Sequence, residues 1–522
     1  MLVEFELGRL GFSTYRGDFY MYVVTAEEMY LVDDYTINQI GISEDSLMEN
    51  AGQAVANILR NTIKHGKQVA VLAGTGNNGG DGFVIARALQ SYGHQVELWL
   101  IPPKEKLVGA AKKAMQIYEN SGYKINYIHD DICKLLRRLR EYDYIIDALL
   151  GIGMKGKIRS PYREIIDELN LLDTFIYSVD IPSGVPANGG EMDAAIKANV
   201  TITLQAPKLS AFIFPFAEYY GELMVADIGV PPIVFEKCAP NRAVSNVPVL
   251  PARKLNSHKG IYGKGLVIGG SSRLTGAVVM TAKAALRSGA GLITMAVPDS
   301  IHPICASHFL EAMYLPCTSK DGYLIGTIPY HDLDVDAIAI GPGLGRTDST
   351  KQVVKDALER NVPIIIDADG LYQIDKELLK MRTSPTIITP HPGEMASLLG
   401  ISIKKVEENR FELSKRFALE YGVFIVLKGP YTIVTTPSGE QFVNTTGNPA
   451  LAKGGSGDVL TGIILALTMQ SSDIKVGICN AVYIHGKSAD LLIEKDHTNH
   501  DVLATDVIEA IPLALREITS FG

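Results

Sequence analysis

Two glycine-rich segments hold the side chains of this sequence that are best suited to chemistry. The first, GTGNNGGDG at residues 74–82, combines five glycines with two asparagines and one aspartate. Glycine-rich turns between a strand and a helix let backbone N–H groups approach a phosphate closely. The amides of Asn77 and Asn78 and the carboxylate of Asp81 need a further reason, because polar groups held near a turn are costly without partners. The segment therefore predicts a ligand site that does more than bind phosphate.

The same glycines satisfy the dinucleotide-binding pattern GxGxxG, at Gly74, Gly76 and Gly79. That pattern also requires an acidic residue at the end of the second strand, about 20 residues later. Here the second predicted strand, QVELWLIPP, ends in prolines and holds Glu97 in its interior. The sequence therefore disfavours an ordinary NAD-dependent dehydrogenase. A turn that merely packs a strand against a helix stays an alternative.

Two other predicted strands of the same sheet end in polar residues. YIIDALLGIGMKGK places Asp147 at a strand end, and FIYSVDIPSGV places Asp180 and Ser183 at another. The carboxyl ends of parallel strands border one crevice, in which ligands bind. Each aspartate alone could cap a helix or a turn, but three polar strand ends favour a site. Asn78, Asp147 and Ser183 offer oxygen ligands that suit an alkali or alkaline-earth ion.

The second glycine-rich segment, TGNPALAKGGSGDVLTGIILAL, precedes an apolar helix. Gly454, Gly455 and Gly457 leave N–H groups that can bind an anion, assisted by the helix dipole. Asp458 follows in the first helical turn, where it could be only a helix cap. The neighbouring glycines favour another role, a general base beside an anion hole, as phosphoryl transfer to a hydroxyl requires. The sequence has no GxxxxGK(S/T) motif, which excludes a Walker-type nucleotide site.

Three further segments end predicted strands of the second half. GPGLG at 341–345 allows a ligand to approach the backbone closely. ITPHPGE holds His391 between two prolines, which fix its backbone and hence its direction. A structural and a functional role for this histidine both stay open. VLKGPYT places Lys428 and Gly429 at another strand end.

Apolar segments place these motifs in two successive α/β series. Residues 21–60 are predicted to be helical, and strands then alternate with helices, the first of them at 83–92, up to about residue 228. A proline-rich stretch near 235–250 marks a boundary, after which a second series begins with GKGLVIGG. Such alternation implies parallel sheets with helices on both faces. Because 522 residues are too many for one core, we predict domains at 1–240 and 245–522, with 1–20 as a poorly specified extension.

Composition argues against nucleic-acid and membrane partners. Apolar residues make up 47% of the chain and charged residues 20%, with a net charge of −9 that does not suit phosphate backbones. No apolar run approaches the roughly 18 residues of a membrane span, and Glu4, Glu6 and Arg9 interrupt the amino terminus where a secretory signal would be apolar. The five cysteines form no CxxC pair, as in a reducing compartment. We expect a cytoplasmic homo-oligomer.

The motifs GNNGGDG, DALLGIG and VDIPSGV together resemble the amino-terminal domain of the bifunctional NAD(P)H-hydrate repair enzyme family, over about residues 25–235. That resemblance implies a Rossmann-like domain that epimerises hydrated NADH and NADPH at C6 of the nicotinamide ring. It also implies a potassium ion held by Asn78, Asp147 and Ser183, with Asp147 as the candidate acid/base. The implied contacts to the hydrated cofactor are Asn77, Asn78, Gly79, Gly80, Asp81, Gly151, Ile152, Gly153, Met154, Lys155, Gly156, Lys157 and Asp180.

The motifs of the second half resemble the ribokinase-like dehydratase domain of the same family, over about residues 250–520. Sugar kinases commonly carry N-x-x-E where this sequence has HPGE, which matches the dehydratase. The resemblance implies dehydration of the S hydrate at the expense of ADP, giving AMP and phosphate, with Mg²⁺ neutralising charge. The implied contacts to the hydrated cofactor are Ala277, Gly343, His391 and Asp458. The implied contacts to the nucleotide are Lys428, Gly429, Pro430, Tyr431, Thr432 and Gly457.

The predicted function is therefore two-step repair of hydrated nicotinamide cofactors, with NADHX, NADPHX and ADP as small-molecule substrates. A kinase of the hydroxymethylpyrimidine or hydroxyethylthiazole type is one rival, and it would leave a stable phosphorylated product instead of inorganic phosphate. A second rival makes the first domain a non-catalytic nucleotide-binding or partner-binding module. Epimerisation by that domain alone would exclude this second rival.

Overall fold

The computed structural model describes residues 21–128, 132–154, 156–245, 248, 250, 252–329 and 333–520. The chain divides into two compact units, Met1–Pro240 and Asn241–Gly522. The extension predicted for residues 1–20 lies outside the described residues, as does Lys155. Both units are built from strands that alternate with helices.

The first unit is a parallel sheet of seven strands with helices on both faces. Its strands are β1 (Gln68–Ala73), β2 (Gln95–Leu100), β3 (Ile125–Tyr127), β4 (Tyr144–Ala148), β5 (Phe175–Val179), β6 (Val200–Leu204) and β7 (Glu222–Ala226). Its helices are α1 (Ala26–Tyr35), α2 (Glu44–Thr62), α3 (Asn77–Ser91), α4 (Gly109–Asn120), α5 (Ile132–Leu139), α6 (Tyr162–Leu169) and α7 (Pro232–Cys238). The strand order β3-β2-β1-β4-β5-β6-β7 reverses between β1 and β4. A reversal of this kind leaves a crevice for a ligand at the strand carboxyl ends, and the order confirms the predicted Rossmann-like class.

Strand β1 shows why this sheet could be predicted from apolar runs. Val69 and Val71 pack in the core formed with α2, α3 and α4, whereas Ala70 and Leu72 pack in the core formed with α5 and α6. Side chains of a strand alternate between faces, and here both faces are covered. A strand buried on both faces therefore appears in the sequence as one continuous apolar segment.

Two helix predictions in this unit need correction. Residues 21–60 were expected to be helical throughout, but α1 continues into a π-helical segment, Thr36–Ile40, and stops at Gly41 before α2 begins. Gly41 has φ 91°, a left-handed conformation that glycine adopts at low cost. The helix expected at 83–92 begins earlier, at Asn77. The residues Asn77 to Asp81 therefore lie in the first turns of α3, not in a loop.

The second unit has a sheet of ten strands and a separate pair of short strands. Its strands are β8 (Arg242–Val244), β9 (Lys264–Ile268), β10 (Leu292–Pro298), β11 (Met313–Cys317), β12 (Ser319–Lys320), β13 (Tyr323–Leu324), β14 (Ala337–Ile340), β15 (Ile364–Ile366), β16 (Thr386–Ile388), β17 (Phe424–Leu427), β18 (Ile433–Thr435) and β19 (Gln441–Val443). Its helices are α8 (Thr275–Arg287), α9 (His302–His308), α10 (Asp348–Leu358), α11 (Lys376–Met381), α12 (Pro392–Leu399), α13 (Ile403–Glu408), α14 (Arg410–Tyr421), α15 (Ser456–Gln470), α16 (Ile474–Lys495) and α17 (Ala504–Ser520).

The ten strands follow the order β11-β10-β9-β14-β15-β16-β17-β18-β19-β8, and β12 pairs with β13 separately. The pairs from β11 to β17 are parallel, and β18 is antiparallel to both of its neighbours. Helices α8, α15, α16 and α17 pack on one face of the sheet, and α10 to α14 pack on the other. Gly462 lets α15 approach α8, because a β-carbon there would lie 2.1 Å from the carbonyl oxygen of Thr281. The predicted α/β class is confirmed for this unit also.

The proline-rich stretch near 235–250 is not a simple linker. Within it, Arg242–Val244 forms β8, which pairs in parallel with β19 at the edge of the second sheet. The prolines that suggested a loop lie outside these three residues. In the described part of the chain, no helix is long and apolar enough to cross a membrane.

Candidate active site

The first glycine-rich segment connects β1 to α3 at the point where the strand order reverses. A β-carbon at Gly74 would lie 1.9 Å from the carbonyl oxygen of Leu149, and one at Gly79 would lie 2.1 Å from that of Gly74. Close packing of the turn therefore explains these two glycines. At Gly76, by contrast, no neighbouring atom lies within 4 Å of an added β-carbon. Helix α3 has no side-chain cap, so its first N–H groups can bind an anion above this open position.

Three residues predicted as ion ligands meet around the backbone of Leu150. The Asn78 side-chain amide donates to the Leu150 carbonyl oxygen over 3.1 Å, and the Ser183 hydroxyl accepts from the Leu150 N–H over 2.8 Å. The Ser183 hydroxyl in turn donates to Asp147 over 2.5 Å. The other amide atom of Asn78, Oδ1, is buried, and no described residue provides it with a hydrogen-bond partner. A buried oxygen of this kind suits a cation ligand.

Asp147 is fully buried, and each of its carboxylate oxygens accepts two hydrogen bonds. The N–H and hydroxyl of Ser183 donate over 2.9 and 2.5 Å, the Ser178 hydroxyl over 2.8 Å and the Leu149 N–H over 3.2 Å. Burial raises the pKa of Asp147, and the hydrogen bonds from Ser183 and Ser178 work against that rise. All four donors are neutral. Among the described residues, no cationic side chain therefore balances the charge of Asp147.

Asp180 has one carboxylate oxygen that is held in place and one that is not. Oδ1 forms an ion pair with the fully buried ammonium of Lys208 and accepts from the Leu204 N–H over 3.0 Å. Among the described residues, no donor reaches Oδ2. The backbone of Asp180 has φ 67°, which costs about 1–3 kcal/mol in a residue other than glycine and often marks a functional position. The free oxygen makes Asp180 the better placed of the two aspartates for proton transfer.

Asp81 lies in the electrostatic field of Asp180. It is 5% exposed, and no hydrogen bond reaches its carboxylate within the described part of the chain. Burial, followed by the charges of Asp180 and Asp33, raises the pKa of Asp81 well above its usual range. Burial also raises the pKa of Asp33 to about 6. Asp81, whose raised pKa favours the protonated form, therefore lies near Asp180, which is paired with Lys208.

In the second unit, Asp458 lies in the first turn of α15 behind a glycine N-cap. Gly455 has φ 90° and provides no side-chain cap. The Asp458 carboxylate makes no hydrogen bond to the described residues, so it does not cap the helix. Burial, followed by the charge of Asp367, raises its pKa to about 7, although Lys428 acts in the opposite direction. A carboxylate with this pKa suits a general base at neutral pH.

Lys428 connects the ends of β15, β17 and the start of α15. Its ammonium lies 2.7 Å from Asp367 Oδ1 and 3.6 Å from Glu394 Oε2. A β-carbon at Gly457 would lie 3.4 Å from the same ammonium, so the start of α15 adjoins Lys428. The Thr461 hydroxyl of α15 donates to the other oxygen of Asp367 over 2.8 Å. The ion pair Asp367–Lys428 therefore holds the ends of β15 and β17 and the start of α15 together beside Asp458.

His391 is the N-cap of α12, which gives it a structural role. Its Nδ1 accepts from the N–H groups of Gly393 and Glu394 over 3.0 and 3.2 Å, and the Glu394 carboxylate accepts from the His391 N–H over 2.7 Å. Burial and the nearby Lys428 lower the pKa of His391. A neutral ring whose Nδ1 accepts must carry its proton on Nε2. The half-exposed ring can therefore donate a hydrogen bond to a ligand while it caps the helix.

Two family descriptions match the chain, one in each unit. Residues 44–210 match the YjeF-related protein N-terminus, and residues 265–513 match NAD(P)H-hydrate dehydratase. A bifunctional NAD(P)H-hydrate repair enzyme of Moorella thermoacetica is 35% identical over 516 residues, which cover 95% of this chain and 97% of the relative. One of Thermofilum pendens is 34% identical over 513 residues, with 95% and 97% covered. The chain belongs to the bifunctional NAD(P)H-hydrate repair enzyme family.

A solved structure resembles the second unit. The ADP/ATP-dependent NAD(P)H-hydrate dehydratase from Bacillus subtilis, co-crystallised with ATP and Mg²⁺, is 35% identical. It covers 52% of this chain and 99% of its own, with a TM-score of 0.46. The family membership predicted from the motifs of both units is thus confirmed by the full-length relatives.

The structure brings some of the residues implied by the repair-enzyme family into contact. In the first unit, a β-carbon at Gly151 would lie 3.2 Å from that of Asn78, so the GIGMKGK segment adjoins α3. Gly153 faces the hydroxyl of Tyr30, Lys157 is exposed and Lys155 is outside the described residues. In the second unit, a β-carbon at Gly343 would lie 3.1 Å from that of Ala277.

Several charged residues in or next to these sites were not predicted from the sequence. Asp33 and Lys208 lie in the first site and Asp367 in the second, and Arg410 donates to backbone carbonyl groups of residues 427–430. Asp367 had a usable signal, because it ends an apolar strand in PIIIDADG as Asp147 does in YIIDA. Lys208 and Arg410 had none, since each lies far in sequence from the group that it contacts.

Proposed function

We propose that this chain repairs hydrated NADH and NADPH in two steps, epimerisation in the first unit and ADP-dependent dehydration in the second. The observation that carries the proposal is Asp458, a carboxylate without a hydrogen-bond partner in the described residues, beside an uncapped helix start. A base next to an anion-binding helix terminus suits phosphoryl transfer to a hydroxyl group. The near-full-length similarity to bifunctional repair enzymes supports the same assignment.

Dehydration needs phosphorylation because hydroxide is a poor leaving group. Asp458 would take the proton of the C6 hydroxyl group while the oxygen of that hydroxyl attacks the β-phosphorus of ADP. The bond between the β-phosphorus and the oxygen of the leaving AMP would then break. The N–H groups at the start of α15 would hold the transferring phosphoryl group. Loss of phosphate from C6, together with a ring proton, then restores the double bond of the reduced nicotinamide. His391 would orient the substrate through its Nε2–H.

The loop Lys428–Thr432 and Gly457 are the proposed contacts of the nucleotide. Mg²⁺ bound to nucleotide phosphates needs only one or two protein carboxylates. Glu394 and Asp369 are close enough to raise the pKa of Asp458, which places them in the same neighbourhood. Among the described residues, no three His, Cys, Asp or Glu side chains form a complete metal site, which suits an ion that arrives with its phosphates. Mg²⁺ would supply charge neutralisation there.

Potassium fits the first unit because, among the described residues, the buried Asn78 Oδ1 has no hydrogen-bond partner and the buried Asp147 carboxylate accepts only from neutral donors. Asn78, Asp147 and Ser183 would hold it, and it would supply a positive charge beside the bound cofactor. The proposed contacts of the hydrated cofactor are Asn77 to Asp81, Gly151 to Lys157 and Asp180; of these, Asn78 and Gly151 lie next to each other. Cytoplasmic location and homo-oligomerisation stay predictions.

Epimerisation at C6 requires one protein group that takes a proton from the substrate and another that gives a proton to it. Asp180, paired with Lys208, has a free oxygen for the first task, and Asp81 favours the protonated form needed for the second. An acid and base pair needs one group that can accept a proton and another that can supply one. We therefore place proton transfer on Asp180 and Asp81 and keep Asp147 as an ion ligand, rather than as the acid/base suggested by its position at a strand end.

The test is an assay on a mixture of R and S hydrates of NADH, followed by absorbance of the reduced nicotinamide. With ADP, the wild-type protein should regenerate NADH and release one phosphate and one AMP for each molecule repaired. A kinase of small molecules would instead leave a stable phosphorylated product and no NADH. The first unit acts as an epimerase if the R form is consumed completely.

A further inference from the structure

Arg410 is a buried arginine that contacts the proposed nucleotide loop from behind. It is 4% exposed and begins α14. Its guanidinium donates to the carbonyl oxygens of Pro430 over 2.5 Å, Leu427 over 3.1 Å and Lys428 over 3.3 Å. Three of the carbonyl groups at residues 427–430 are therefore directed toward one side chain.

The direction of these carbonyl groups fixes the direction of the N–H groups that follow them. In a trans peptide the C=O of one residue and the N–H of the next point in opposite directions, and in the described residues the cis bonds are only those before Pro161 and Pro215. Because the carbonyl of Lys428 points at Arg410, the N–H of Gly429 points away from it. The same relation holds for Pro430 and the N–H of Tyr431.

The loop adopts an unfavourable backbone conformation that something must hold. Gly429 has φ 136° and Tyr431 has φ 54°. Positive φ is uncommon for a residue other than glycine and is kept only where the surroundings enforce it. The guanidinium also fills the space beside Gly429, since a β-carbon there would lie 3.2 Å from Nη2. Arg410 is thus in contact with the part of the loop that carries the strain.

The charge of Arg410 is not neutralised by an ion pair with any described residue. Burial lowers the pKa of its guanidinium to about 10, and the charge of Glu407 acts in the opposite direction. The group is therefore still protonated at neutral pH. A positive charge behind a loop also favours an anionic ligand in front of it.

We propose that Arg410 is a positioning residue for the nucleotide, which holds the 428–432 loop so that the N–H groups of Gly429 and Tyr431 face the bound ADP. This rests on the proposed function, in which that loop binds the nucleotide. Arg410 does not touch the reacting atoms, so its loss should weaken ADP binding far more than it slows turnover at saturation.

Arg382 offers a matched control in the same unit. Its guanidinium also binds backbone carbonyl oxygens, those of Leu358, Arg360 and Val362, but these belong to the last residue of α10 and the segment that leads to β15. Substitution by glutamine at either position removes a guanidinium that crosslinks a loop. Only the loop held by Arg410 is the proposed nucleotide site. A comparison of the two variants therefore separates an effect on ADP binding from an effect on stability.

The experiment compares Arg410→Gln, Arg410→Lys and Arg382→Gln in the full chain. ADP binding by calorimetry, KM for ADP, kcat and melting temperature are measured, with epimerisation as an internal control. We expect Arg410→Gln to raise Kd and KM for ADP at least tenfold, with kcat within threefold and epimerisation unchanged. Arg410→Lys should bind ADP with intermediate affinity, because it keeps the charge but not the fork of donors. Arg382→Gln should lower the melting temperature and leave Kd for ADP within twofold.

Two results would overturn the proposal. The first is ADP binding within twofold of wild type in Arg410→Gln, or in Arg410→Lys where the glutamine variant does not fold. The second is an equal loss of ADP binding in Arg382→Gln. A wild-type protein that binds neither ADP nor ATP would instead overturn the proposed function, which distinguishes the two failures.

Discussion

Asp147 and Asp367 lie at or just after the ends of parallel strands in the two units, and their charges are balanced in different ways. Both are at most 1% exposed. Asp147 receives four neutral hydrogen bonds, and burial raises its pKa. Burial also raises the pKa of Asp367, but the charge and hydrogen bond of Lys428 outweigh it, so the pKa lies below its usual value. Lys428 supplies the cation for Asp367, whereas the proposed partner of Asp147 is a potassium ion from solution.

This difference matters because an uncompensated buried charge costs several kcal/mol. Hydrogen bonds to Asp147 offset part of that cost, and a potassium ion on Asn78, Asp147 and Ser183 would offset more. The two activities should therefore respond differently to alkali cations. Four experiments test this difference.

Lys428→Met should have the largest effect on stability. It leaves Asp367 buried without its cation, which costs about 3–5 kcal/mol for a buried pair. Hydrogen exchange of the amides in β15 and α15 should show this loss, and potassium should not restore it. Lys428→Met with Asp367→Asn should recover part of the stability, because no charge is then left unpaired. Exchange rates in Lys428→Met equal to wild type would contradict the role assigned to the pair.

Asp458→Asn should reduce dehydration at least ~100-fold, or about 2.7 kcal/mol of barrier, because the amide cannot accept the hydroxyl proton. ADP binding should change little and epimerisation should persist, since Asp458 lies in the second unit. Turnover of the S hydrate at saturating ADP is the measurement. A decrease of less than about threefold would return Asp458 to the role of a helix residue without catalytic function.

Potassium should stabilise the first unit and support epimerisation alone. A ligand at a hundredfold excess over its Kd adds about 2.7 kcal/mol to the free energy of unfolding. Asp147→Asn should abolish both the stabilisation and epimerisation, with dehydration of the S hydrate intact. Ser178→Ala is the matched control, because Ser178 donates to Asp147 but is outside the proposed ligand set. Epimerisation at full rate in tetramethylammonium chloride, without alkali cations, would contradict the proposed potassium site.

The pH dependence of dehydration should show the smallest effects. A base with pKa about 7 must be deprotonated to act, so kcat/KM should fall tenfold per pH unit below about pH 7. Asp367, Asp369 and Glu394 raise this pKa and Lys428 lowers it. Asp369→Asn removes one negative neighbour, so the acidic limb should move to lower pH by less than about one unit. A limb that stays fixed, or moves to higher pH, would contradict the assignment of the limb to Asp458.

The buried parallel strands could be predicted from the sequence, and the short ones at the sheet edges could not. Segments such as QVAVLA and LITMAVP are apolar along their length because both faces are covered. Ile125–Tyr127 is only three residues long and half-buried, and Arg242–Val244 is hidden in a proline-rich context. Strands of this kind depend on a neighbouring strand and have little signal of their own.

The residues of the candidate sites also include some that the sequence could predict and others that it could not. Asn78, Asp147 and Ser183 could be grouped because parallel strands bring their carboxyl ends to one edge. Lys208 and Arg410 were missed because their roles arise from contacts with Asp180 and with the 428–432 loop. Such contacts depend on how distant segments pack. The role of His391 as a helix cap was also beyond the sequence, which showed only its two flanking prolines.

The central claim is that the two units act in turn on one hydrated cofactor. It is tested most directly by the yield of NADH from a defined mixture of R and S hydrates with excess ADP and potassium. The wild-type protein should return all of the hydrate as NADH. Asp180→Asn, with Lys208→Met to avoid an unpaired buried lysine, should return only the S fraction, and Asp458→Asn should return essentially none on the same time scale. Complete recovery by the Asp180 and Lys208 double variant would contradict the account.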